Sequence, residues 1–448
     1  MANNNQEQDF FVSEAGIDPI PLDKRTSWVS PAIVWAGCEF AISVIMTGTG
    51  IISNFTLKEF FWILLFGLVI LTWLGDGINS FLGALTGRSS SVIARAPFGD
   101  VQSRILISFF AIFNLVGWWA IQTAITGNAL CTMFGINYVE NHMAWVIVTV
   151  IAGILFAIPP IIGYSSMAWT DYIAVPGGLL LTVAAFYLSI KGVGFDYIWS
   201  YTPERNMLFT NAVSLVVGAN VAQFVLMADY TRFCKPKFKD AFLVPLGVVA
   251  TGFVLFTMGA VMGIGSGTAD FDVVAAMKEL GFGWWGFLVL WLAQWTSQLV
   301  NVYSLGLSLC NMFDMNTERQ RKLLTIVGSI VGLVLALGGI LNQFQNFLFF
   351  IALAFPAIGS IMAVDYFILH DRKWEDKKGW NIVATIALAV GLFIGYYTQY
   401  MRPWGIPAIQ SYIISGGLYY VLTYVKAKIA PDQFTPEQWK GLNKNSYI

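Results

Sequence analysis

Twelve stretches of about twenty predominantly apolar residues follow one another along the chain, and each matches the length an α-helix needs to cross a bilayer. They lie approximately at 31–54, 59–84, 104–128, 143–162, 167–190 and 208–231, then at 241–264, 284–312, 323–341, 345–369, 380–400 and 404–425. Gly, Pro or charged residues separate most neighbours; the thinnest separations are Gly163–Ser166 and Asn342–Gln345. Composition agrees. Of 448 residues, 57% are hydrophobic and 11% charged, against roughly a quarter charged in soluble domains. A soluble multi-domain fold and a disordered chain are both excluded. With 25 Lys+Arg against 26 Asp+Glu, no basic excess marks a nucleic-acid partner. The expected class is an all-α polytopic membrane protein, with the lipid bilayer as its first partner.

The distribution of charge tests the count. With twelve spans, both termini share a side with the loops after even-numbered spans. That side holds 20 of the 25 basic residues: Lys24, Arg25, Arg88, Arg95, Arg104, Arg232, Lys235, Lys237, Lys239, Arg319, Arg321, Lys322, Arg372, Lys373, Lys377, Lys378, Lys426, Lys428, Lys440 and Lys444. The other side holds Lys58, Lys191, Arg205, Lys278 and Arg402. Basic loops are cytoplasmic, so both termini are expected in the cytoplasm. Residues 1–30 lack the basic-then-apolar pattern of a cleaved leader. Cys38, Cys131, Cys234 and Cys310 have no CxxC spacing, and His142 and His370 are the only histidines. Buried free thiols are expected, and no zinc or haem site.

Two spans carry an internal glycine followed by polar residues: Gly37 with Glu39 in the first, and Gly218 with Asn220 and Gln223 in the sixth. One such glycine reads as close helix packing. Two of them five spans apart read as the broken helices of an inverted repeat, with the substrate site between them. The third span places Trp118 and Gln122 one turn apart on one face, a ring beside an amide suited to a planar polar ligand. The eighth clusters Thr296, Ser297, Gln298 and Asn301; hydroxyls and carbonyls without a carboxylate set suit a hard monovalent cation better than a transition metal. Asp229 and Asp365 are expected to cap or to pair with Arg232 or Arg372, and Asp171 to be structural. Asp76 lies deeper, as a gate candidate.

ADYTRF (Ala228 to Phe233), GWW in the third span, AQWTS in the eighth and FPAIGSIMAVDYF in the tenth resemble the nucleobase–cation symporter family of cytosine permeases and hydantoin transporters. The resemblance runs from about Pro21 to the end of the tenth span. It implies a sodium-symporter fold of two inverted five-helix repeats, 31–190 and 208–370. Spans 380–425 lie outside the repeats, between cytoplasmic segments 1–30 and 426–448. It also implies a sodium site from the carbonyls of Gly37 and Phe40 in the first span with Ala293, Thr296 and Ser297 in the eighth. Substrate contacts carry over to Trp118, Gln122 and Gln298, with Asn301, Ala41, Glu39 and Asn220 added as candidates.

Two positions depart from the family pattern. Asn220 stands where relatives place a second aromatic, and Leu115, beside Asn114, where cytosine permeases place an amide. Glu39 sits between the two sodium carbonyls and admits four readings: a neighbour of the cation, a proton carrier, a contact to a basic substrate edge, or a partner of another helix. The expectation is thus a secondary transporter in the bacterial cytoplasmic membrane and not an enzyme. It would be a monomer importing a nucleobase or related heterocycle with sodium, or with protons. A sodium-coupled amino-acid transporter of the same fold is the alternative; it would want no stacking tryptophan. An intramembrane enzyme would need a dyad or metal cluster, and a channel would need filter repeats or charged rings; the sequence has neither.

Overall fold

The computed structural model of the protein describes residues 19–162, 168–315 and 317–430, without the side chains of 168–176. The N-terminal segment to residue 18, the tail from 431, the Gly163–Ser166 boundary and the Asp171 side chain lie outside the described residues. Among the described residues, each expected apolar stretch is helical. The long helices are α1 (Val29–Glu39), α2 (Ile42–Ile52), α3 (Leu57–Thr86), α4 (Asp100–Met133), α5 (His142–Ile162), α6 (Ala168–Val193), α7 (Phe209–Asn220) and α8 (Gln223–Thr231). They continue as α9 (Leu246–Ser266), α10 (Trp284–Phe313), α11 (Glu318–Leu337), α12 (Ile340–Leu369), α13 (Ile382–Met401) and α14 (Pro407–Ile429). Among the described residues, eight helical segments are long and apolar enough to cross a membrane, α7 and α8 together counting as one, and the bent pair α1–α2 makes a ninth.

Local chemistry sets the helix ends. Thr56 with Glu59, and Thr317 with Gln320, form reciprocal capping boxes that satisfy the first amides of α3 and α11. Gly87 ends α3 in the left-handed region at φ 66°, which a residue with a Cβ adopts only at a cost. Burial sorts the helices into layers. The apolar window of α12 is 89% buried, that of α11 only 33%. On α5, Met143, Ile147, Ile151, Ile154 and Ile158 are exposed in one stripe, a lipid-facing surface. Helices α2 and α9 approach closely because Gly48 and Gly259 have no side chain; a Cβ there would strike the carbonyls of Phe256 and Ile45.

The two interruptions fall three residues past the glycines. In the first span the helix runs through Gly37 to Glu39, then Phe40 (ψ 61°) and the extended Ala41 (φ −115°, ψ 138°) turn the chain by 59° into α2. In the sixth span α7 ends at Asn220, a turn at Val221 and Ala222 follows, and α8 restarts at Gln223 without a strong bend. Gly218 has the packing role: a Cβ would meet the Leu348 backbone of α12.

At the end of the bundle that carries the basic loops, segments distant in sequence knit together. The Ser90 backbone N–H and hydroxyl donate to Asp229 of α8 at 2.7 and 2.9 Å. Arg95 donates to Asp376 at 3.0 Å, and the Gly379 amide to Asp100 at 2.7 Å. Near the N-terminus, Thr26 bridges to the 233–235 strand-like turn, and Arg25 donates to the Ala84 carbonyl at 2.6 Å. Asp365, expected to cap or to pair with Arg232 or Arg372, is met by the Tyr419 hydroxyl at 2.6 Å, His370 at 3.3 Å and Lys377 at 3.5 Å. The π-helical turn at Val364–Leu369 and the bend after it bring His370 back over the carboxylate.

Candidate functional site

A cavity of about 70 Å³ lies where the break of the first span and the turn of the sixth meet α4 and α10. Trp118 lines it and is held by edge-to-face contacts with Phe347 and Phe344 of α12, centroids 5.2 and 6.2 Å apart. One turn on, Gln122 also lines the cavity. Its amide nitrogen donates to the Ser297 hydroxyl at 3.2 Å, and its carbonyl oxygen accepts from Asn301 at 3.3 Å. The spacing read on α4 and on α10 thus converges on one hydrogen-bonded chain across two helices. Ala41, extended at the break, lines the same wall, and so do Ser297, Asn301 and Asn114. The Asn114 side-chain oxygen is buried with no partner among the described residues, so it is available to a ligand.

Two expected contacts sit elsewhere. Gln298 is fully buried and donates to the Trp119 carbonyl at 3.0 Å and the Thr123 hydroxyl at 2.9 Å, tying α10 to α4 outside the cavity. Asn220 is also fully buried and off the cavity wall. Its side-chain amide faces Glu39, and with the nitrogen turned to the carboxylate it donates to both oxygens at 2.6 and 2.8 Å. The two interruptions are therefore joined by their own side chains. Glu39, 4% exposed, lines the cavity, and its Oε1 lies 3.0 Å from the position a Cβ on Gly252 of α9 would take. Asp76 of α3 stands behind it as a second carboxylate; both its oxygens are buried without a hydrogen-bond donor among the described residues.

The candidate cation ligands of α10 occupy one turn. Ala293, Thr296 and Ser297 are all buried, and the Thr296 hydroxyl donates to the Ala293 carbonyl at 2.8 Å. Gly37 and Phe40 precede the break, where the Phe40 N–H meets the Gly37 carbonyl at 3.2 Å. The Phe40 ring fills the space over Gly178 of α6. One residue that the sequence reading passed over connects the two sets. Gln294, fully buried, accepts the Ile42 N–H at 2.9 Å and so caps α2 from α10. Its only signal was its place inside AQWTS, next to a candidate ligand. Three carbonyls and two hydroxyls without a carboxylate match the chemistry of a small monovalent cation.

The sequence matches the family described as permease for cytosine/purines, uracil, thiamine and allantoin over residues 19–409. The chain belongs to this family, the nucleobase–cation symporters. It is 27% identical over 411 residues to the cytosine permease of Escherichia coli K12, covering 90% of this chain and 92% of that one. It is 27% identical over 351 residues to the hydantoin permease of Microbacterium maritypicum, covering 70% and 69%. Its fold is shared with Mhp1, a nucleobase-cation-symport-1 family transporter solved in a closed conformation with bromovinylhydantoin bound. There the TM-score is 0.75 at 21% identity, covering 95% of this chain and 98% of that one. This nucleobase–cation symporter is therefore a multi-pass membrane permease of the sodium-symporter fold, and not an enzyme.

Proposed function

We propose that this permease is a secondary active transporter that carries a nucleobase such as cytosine, or a related purine, pyrimidine or planar heterocycle, into the cell together with Na⁺. The observation that carries the reading is the Trp118–Gln122 pair on the cavity wall, with Gln122 hydrogen-bonded to Ser297 and Asn301 of α10. A flat ring needs one aromatic face and a few fixed polar groups at its edge. The second half of the reading rests on Gln294, which ties the break of the first span to the turn bearing Ala293, Thr296 and Ser297. Sodium held by that turn with the Gly37 and Phe40 carbonyls adds electrostatic cohesion between α1 and α10. Cation and ring then favour the same arrangement of the first span, and each raises the affinity for the other by the same factor.

In the proposed cycle two inverted repeats, 31–190 and 208–370, supply a bundle of the first, second, sixth and seventh spans. It rocks against the third, fourth, eighth and ninth, with spans 380–425 outside the repeats. The ligand shifts the population only by its differential affinity for the two ends of that motion. The chain is proposed to act as a monomer in the bacterial inner membrane, both termini cytoplasmic, as the bias of basic loops supports. Uptake and thermal-shift binding over a panel of heterocycles and amino acids, with and without sodium, test the reading. A sodium-dependent ring ligand is the expected result; an amino acid in place of every ring overturns the substrate class. Ring binding that ignores sodium but follows pH overturns the choice of ion.

A further inference from the structure

The cavity wall is acidic. Among its described lining residues, the charged side chains are Glu39 and Asp229, and there is no Lys, Arg or His. Asp229 is already met by the backbone amide and hydroxyl of Ser90. Among the described residues Glu39 receives the Asn220 amide, which leaves acceptor capacity on a carboxylate with about four lone-pair sites. In a low-dielectric interior such an acceptor acts strongly on whatever lies in the cavity.

Resting on the reading of this cavity as a ring site, we propose that Glu39, positioned by Asn220, is its specificity-determining acceptor. It selects heterocycles that carry an amino group beside a ring nitrogen, the edge of aminopyrimidines and aminopurines. An exocyclic NH₂ points donors at the carboxylate: cytosine and adenine give the amino N–H turned away from the unprotonated ring nitrogen, and guanine adds the ring N–H beside its amino group, which pairs with the second oxygen. An imide edge, as in uracil or hydantoin, flanks its single N–H with two carbonyl oxygens, and these face the Glu39 oxygens as like partial charges. Ring anions are repelled outright. Asn220 fits this division of labour because its side chain lies off the cavity, against Glu39, at the turn where the sixth span presents Ala219, Ala222 and Gln223 to the cavity.

The test is competition binding to the full-length purified permease at fixed sodium, using pairs that differ by amino against oxo: cytosine with uracil, adenine with hypoxanthine, guanine with xanthine. The amino member is expected to bind at least about tenfold tighter in each pair, the scale of a hydrogen bond to a charged group. Glu39→Gln replaces two acceptors by one donor and one acceptor, which complements an imide edge, and is expected to erase or invert the ratio. Equal binding within the wild-type pairs overturns this proposal while leaving the ring site intact. A wild-type ratio retained in E39Q overturns it as well. Failure of every ring to bind the wild type overturns both this proposal and the permease's assignment to heterocycles. The wild-type arm needs no variant to fold.

Discussion

Trp118 is braced edge-on by Phe347 and Phe344, so its orientation does not wait for a ligand. Stacking of a base on an aromatic ring contributes about 1–3 kcal/mol. Trp118→Ala should therefore weaken every ring ligand roughly tenfold or more, read from binding isotherms, while Trp118→Phe retains part of the affinity. Thr296→Ala removes a candidate sodium oxygen and the hydroxyl that steadies the Ala293 carbonyl. The sodium concentration for half-maximal binding should rise severalfold with ring affinity at saturating sodium little changed; an unaltered sodium titration dismisses the site. At this scale the sequence was informative where one helix supplied the geometry. Trp118 and Gln122 are a turn apart, and so are Ser297 and Asn301. Gln298, one residue round the same helix, rotates about 100° away from the cavity and bonds to α4 instead. The partner of Asn220 is on the first span and that of Gln294 is the amide of Ile42. No local pattern contains such a pairing.

At the level of the helix, the apolar runs located each element within a few residues, because bilayer thickness fixes the length of a spanning segment whatever its neighbours do. The breaks were less legible. Glycine lowers the cost of leaving a helix without deciding where it ends, and both interruptions come three residues later, at Phe40–Ala41 and Val221–Ala222. The first is fixed by a side-chain cap from α10, a tertiary cause. Elsewhere the absent side chain is itself the requirement. Gly48→Ala would force α2 away from the Phe256 carbonyl and should destabilise the permease by roughly 1–3 kcal/mol, seen as a lower melting temperature in detergent. The same change at Gly37, where a Cβ meets open space, should leave the melting temperature nearly unaltered.

Across the whole molecule, the end that carries the basic loops is closed by contacts among Ser90, Asp229, Arg95, Asp376 and Asp100. Asp229→Asn should loosen this end and increase labelling of Cys38, the half-buried cysteine on the cavity wall, by an impermeant thiol reagent applied from that side. The other three cysteines are buried and serve as the internal reference. His370 belongs to the same region. The Asp365 carboxylate opposes the cost of burying the imidazolium and raises its titration above the ordinary 6.5. A raised value means that the stabilisation is complete below the unfolded value and fades as pH climbs through the folded one. Thermal stability should therefore fall across that window, and His370→Gln should flatten the profile. The contacts of this end also bear on how the chain is made. Residues 95–100 take their partners from 376–379, so a ribosome must complete ten apolar runs before this pair of loops can be sealed, whereas Ser90 can meet Asp229 after six. A chain stopped short of Asp376 would be inserted with the earlier contacts but without this latch.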